Sequence, residues 1–111
     1  MVYQVRILPA ALEDAKDFYN YIANDSPENA TLWLEGLFDV VESLSSLPER
    51  CPIAPKSTII GVKLHVFLYR QYYRILYSIE KDIVRIYHIQ HSSRAYLTQE
   101  DFFASSDTPE E

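Results

Sequence analysis

The stretch from Lys63 to Tyr96 leaves this chain few ways to fold. Three β-type runs follow one another there with only short polar breaks. Val62, Leu64, Val66 and Leu68 alternate with Lys63, His65, Phe67 and Tyr69, so the two sets point to opposite faces of a strand. The fully aliphatic set is expected to lie against a covering layer and the other set to face away. Tyr73 to Ile79 reads as a second strand, Glu80-Lys81-Asp82 as a turn, and Ile83 to Gln90 as a third strand. Its parity drifts toward His91, and a bulge near His88 accounts for that. The same stretch holds six of the nine tyrosines and all three histidines. Cations, proton carriers and flat rings together suit a surface that handles polyanions, single-stranded nucleic acid above all.

The covering layer comes from the first half of the chain. Val2 to Leu8 alternates Tyr3, Val5 and Ile7 against Gln4 and Arg6 and reads as a short strand. Pro9 ends it and suits a first helical turn. Leu12, Ala15, Phe18 or Tyr19, and Ile22 then recur at helical spacing until Asn24-Asp25. A second helix opens with Ser26 as N-cap, Pro27 at the first position and Glu28 near the positive end of the dipole. Ala30, Trp33, Leu34, Leu37, Val41, Leu44 and Leu47 form its apolar stripe, and Pro48 is expected to close it. Pro48 to Gly61, with Pro48, Pro52 and Pro55, reads as a loop. The order gives an α+β fold: an N-terminal strand and a two-helix hairpin packed on one face of a mostly antiparallel four-stranded sheet, the other face open.

A chain of 111 residues makes one domain. Residues 1–103 carry it, Thr98 to Phe103 adding a helical turn. Residues 104–111 are small, polar and acidic and are expected to be disordered. The single cysteine, Cys51, has no internal partner, which fits a reducing cytoplasm. No signal peptide and no apolar run near ~20 residues is visible, so no membrane partner is expected. Two glycines, Gly36 and Gly61, are too few for a phosphate loop or a dinucleotide fingerprint, and no cofactor is expected. Three histidines without paired spacing make no metal site.

The net charge of −6 hides an asymmetry. Residues 1–50 sum to −6, residues 51–97 to +5, and residues 98–111 to −5. Distribution matters more than the total for choosing partners, and the positive block coincides with the strands.

Within that block Lys63, His65, Arg74, His91, Arg94 and Tyr96 are the candidate site residues. Lys63 and His65 are two apart on one strand and share a face. Arg74 comes from the neighbouring strand; His91, Arg94 and Tyr96 follow the last one. Converging, they would hold what RNA cleavage by 2′-hydroxyl attack requires: a base, cations for the phosphorane, and an acid for the leaving oxygen. His65 or His91 would serve as base or acid, and Arg74 and Arg94 would clamp phosphate. The plain alternative is a sheet displaying a solvated face, with Trp33 simply in the core.

Three segments carry a resemblance to a known family. They are the hairpin from Ala11 to Trp33 with its Tyr21-Ile-Ala-Asn-Asp-Ser-Pro27 run, closing at Ser46-Leu-Pro48; Tyr73-Arg-Ile-Leu-Tyr77; and Ile86 to Arg94, ending His91-Ser-Ser-Arg94. The chain resembles the RelE/ParE superfamily of type II toxin–antitoxin toxins over almost all of residues 2–97. The resemblance implies a bacterial, plasmid-stabilising or growth-arresting toxin silenced by a cognate antitoxin. Assembly as a homodimer or a toxin–antitoxin heterotetramer stays open.

The superfamily has two branches. RelE-like members are mRNA interferases that cut on the ribosome; ParE-like members poison DNA gyrase and are not enzymes. The hairpin resembles ParE, while Lys63, Arg74 and Tyr96 match positions functional in RelE-type nucleases. Where such nucleases place an arginine after the last strand this chain has Ser92, with Arg94 as the nearest substitute. The longer helical match and the incomplete nuclease set favour ParE-like action on gyrase. Ribosome-dependent cleavage is the alternative, and a non-toxic binding-module relative is a second. The antitoxin is expected to lay an extended or helical segment over the domain, with an acidic stretch near Lys63, Arg74 and Arg85.

Overall fold

The computed structural model of the chain describes residues 2–54 and 62–93. The expectations for Thr98–Phe103, for the acidic tail, and for Arg94 and Tyr96 lie outside the described residues. The elements are β1 (Gln4–Ile7), α1 (Pro9–Asp25), α2 (Pro27–Ser43), a 3-10 turn (Pro48–Arg50), β2 (His65–Tyr69), β3 (Tyr73–Glu80) and β4 (Ile83–His91). The four strands lie in the order β1-β4-β3-β2. β1 runs parallel to β4; the other two pairings are antiparallel. The fold is therefore the expected α+β arrangement of strand, helical hairpin and four-stranded sheet.

Ser26 divides the hairpin. Its amide closes α1 on the Ile22 carbonyl, and its hydroxyl accepts from the Asn29 amide at 3.2 Å to open α2. One residue thus caps both helices, which forces the tight reversal. The core-facing stripe of α1 is Ala11 and Ala15, both buried, with Phe18 and Ile22 partly buried; Leu12, expected on it, is 48% exposed. Two alanines at the contact let the helix sit close to the sheet. On α2, Ala30, Trp33, Leu37 and Val41 are buried as expected.

α2 does not reach Pro48. It stops at Ser43, and Leu47, expected on the stripe, stands 70% exposed with φ 52. The Ser43 hydroxyl donates to the Val40 carbonyl at 2.6 Å, a local bond that competes with continued helix. The Arg50 guanidinium donates to the Ser46 and Leu47 carbonyls at 2.7 and 3.1 Å, satisfying groups that a longer helix would have used.

The faces of β2 are the reverse of the expectation. Phe67 and Tyr69 join the helix-side core with Trp33, Leu37, Ile75 and Tyr77. Leu64 and Val66 turn away and pack with Leu8, Ala54, Leu76 and Tyr87. The alternation holds, but both sets carry large apolar side chains (Phe67 and Tyr69 in one, Leu64 and Val66 in the other), so parity could not say which faced the helices. Chemistry decides it. The Tyr69 hydroxyl donates to the Trp33 carbonyl at 2.8 Å and lies where a Cβ on Gly36 would overlap it. A glycine in mid-helix costs about 1 kcal/mol relative to alanine, so its presence here marks this close approach.

The sheet face away from the helices is not open either, because Leu64 and Leu76 are fully buried there. The bulge is present: the β3–β4 register slips between Leu76 and Tyr77, opposite Tyr87 and His88. Beyond the end of β1, α1 takes over the edge of β4. Asp14 Oδ2 accepts from the Ile89 amide at 3.0 Å and the His88 ring at 2.8 Å.

Candidate functional site

Among the described candidates, sheet geometry distributes the side chains rather than gathering them. His65 opens β2 on the helix side. It is 8% exposed, stacked on Tyr77 at 5.3 Å, and its Nδ1–H donates to the Cys51 carbonyl at 2.8 Å. His91 ends β4 on the same face, opposite Tyr73. Its Nδ1 lies 3.2 Å from the Ser93 amide and 2.9 Å from the Ser93 hydroxyl. β3 stands between them, with His65 paired to Tyr77 and His91 to Tyr73. Four residues along a strand and two strand spacings across place the rings about 17 Å apart. An acid and a base acting on one phosphate must each reach it within a hydrogen bond, and this pair cannot.

Arg74 points to the other face, its parity that of Leu76 rather than of Ile75. It is 5% exposed, and its Nη2 donates to the His91 carbonyl at 3.2 Å. Sequence reasoning placed it on an accessible face; the structure puts it in the sheet's interior. Lys63 is exposed, just ahead of β2. Arg85, expected to meet an antitoxin, is paired with Glu80 at 2.8 Å. Among the described residues no group of three His, Cys, Asp or Glu side chains is placed to hold a metal, and no helix is long and apolar enough to cross a membrane.

Two features escaped the sequence reading. The first is a groove of roughly 650 Å³ beside β2, lined by Arg50, Cys51, Ile53, Val66, Phe67 and Leu68. β2 is an edge strand. Residues 52–54 pair with only its first half, through Val66 N–H to the Pro52 carbonyl and Ala54 N–H to the Leu64 carbonyl. Past Val66 no described segment continues the pairing, and Leu68 is 54% exposed. The floor is firm: the Tyr77 hydroxyl donates to the Pro48 carbonyl at 2.6 Å, and burial, with Cys51 adding, pushes its phenol far above the usual range. The Arg50 guanidinium lies over Phe67 at 5.7 Å. Composition could have hinted at this edge, since Val66-Phe-Leu-Tyr69 carries no charge to guard it.

The second feature is the β2–β3 turn, where Arg70 and Gln71 both hold positive φ, 51° and 69°. Tyr73 behind it is half-buried, its phenol raised by burial against the opposing charge of Arg70.

Comparison with known proteins agrees with this architecture. The family model described as the ParE toxin of the type II toxin–antitoxin system parDE matches residues 5–96. No curated protein matches the chain. Among solved structures, one from the chromosomal ParDE toxin–antitoxin system of P. aeruginosa superposes with a TM-score of 0.65 at 14% identity, covering 81% of this chain and 96% of that one. A chain of the RelBE2 toxin–antitoxin complex of Mycobacterium tuberculosis is similar with a TM-score of 0.52 at 24% identity, covering 82% and 99%. At these identities the two likenesses speak to fold.

Proposed function

We propose that this chain, which belongs to the ParE toxin family of type II toxin–antitoxin systems, arrests growth in the cytoplasm by inhibiting DNA gyrase and is silenced by a cognate antitoxin. The observation that carries the choice of target is the dispersal of the nuclease candidates. His91 is paired to Tyr73 at the start of β3 and His65 to Tyr77 on the strand's other side, four residues along, and Arg74 is buried on the other face. An inhibitor that works by contact needs no converging acid and base. The antitoxin reading rests on the edge of β2. An extended segment can add there as a fifth strand, with main-chain bonds to the half that no described segment pairs and apolar side chains in the groove by Ile53 and Phe67. An acidic residue in that segment would meet Arg50.

The test is expression without an antitoxin, read in two ways. Growth arrest with gyrase-dependent DNA breaks and intact mRNA is the expected result. New mRNA 5′ ends by primer extension, without DNA breaks, would move the chain to the RelE-like reading. Soluble, folded protein with normal growth would overturn the toxin reading.

A further inference from the structure

The β2–β3 turn carries more exposed aromatic and cationic surface than a connection requires. The Tyr72 amide donates to the Tyr69 carbonyl at 3.3 Å across Arg70 and Gln71. Positive φ at both central residues is the signature of a primed hairpin turn, which Asn-Gly normally supplies because those residues tolerate it. Here two long side chains occupy it at a cost in backbone strain. What they gain is position. Arg70 is exposed, with its guanidinium 5.6 Å from the Tyr69 ring. Tyr72 is 58% exposed and lies parallel to His91, at 6.2 Å between centroids and 10° between planes.

This pair is backed by rings. His91 meets Tyr73 at 5.4 Å, and Tyr73 meets Trp33 at 5.2 Å and Phe18 at 5.1 Å, both edge-on. The exposed rings therefore sit on a foundation running into the helical hairpin. From Val62 to Ile79 the sequence holds Lys63, Arg70 and Arg74 and no carboxylate, in a chain of net charge −6.

We propose that this turn is a stacking platform for single-stranded nucleic acid, with a base on Tyr72 and a neighbouring phosphate on Arg70. A flat ring accepts any base face, and a base is available for stacking only where it is unpaired. An acidic peptide would satisfy Arg70 but make no use of the parallel Tyr72–His91 pair. The platform does not depend on which target the toxin inhibits.

The test is fluorescence anisotropy of the full chain with a labelled 12-nucleotide single strand of mixed sequence, DNA and RNA in turn. A duplex of the same sequence and polyglutamate serve as competitors. Tyr72→Ala should weaken single-strand binding about tenfold, and Tyr72→Phe should keep it. Changing Arg70-Gln71 to Asn-Gly relieves the turn, so that variant should melt at a higher temperature yet bind more weakly, with a flatter salt dependence. A merely structural role for the turn predicts that stability and binding rise together. Unchanged affinity in Tyr72→Ala, or competition by polyglutamate as effective as by unlabelled single strand, would overturn the proposal.

Discussion

Gly36 shows how one residue without a side chain can orient a sheet. It lets the Tyr69 hydroxyl reach the Trp33 carbonyl, and that bond ties β2 to α2. Gly36→Ala should cost about 1–3 kcal/mol, since the ring must shift in a packed core. In a Tyr69→Phe background the overlapping hydroxyl is gone, so the same change should cost much less. Urea unfolding of the two single variants and the double variant measures this coupling, and simple additivity would contradict the account. Arg74 is the opposite case. Tyr73-Arg-Ile-Leu-Tyr77 is one of the three segments that carry the family resemblance, yet alternation alone could not say that Arg74 would be buried. Its 5% exposure sets it inside the sheet, not on an accessible face.

At the scale of elements, local chemistry was legible and long-range choice was not. Pro9, the Ser26-Pro27 cap and the Glu80-Lys81-Asp82 turn mark their boundaries directly, and the strand order of types alone gave the α+β class. The end of α2 was missed because Pro48 is a late signal. The helix had already been released by Ser43 and by Arg50 bonding back to the carbonyls. The reversal of β2 was missed because a sheet buried on both faces has no polar side to read.

The join between α1 and β4 was equally invisible, since Asp14 and Ile89 are 75 residues apart. Asp14 gives the amide at the uncovered edge of β4 its acceptor. Asp14→Ala should therefore cost about 1–3 kcal/mol by leaving a part-buried N–H unsatisfied. Hydrogen exchange at Ile89 should speed up while amides in the middle of β3 keep their order of protection. Unchanged exchange at Ile89 would mean that the edge is held by something else.

For the whole molecule, the candidate site divides into what the fold brings together and what it keeps apart. The described strands of the cationic, aromatic half, β2 to β4, do fold into one sheet, but the sheet sends Arg74 to one face and holds His65 and His91 on the other with β3 between them. That arrangement suits a protein that acts by binding, with a groove at one edge and an aromatic turn at one end. The gyrase reading is tested most directly with purified components: DNA gyrase, relaxed plasmid, ATP and increasing amounts of this chain free of antitoxin. The account predicts that supercoiling falls with added toxin and that linear DNA accumulates, while a gyrase-free control stays relaxed and intact. Full supercoiling at a large molar excess of a folded chain that still arrests growth would contradict it.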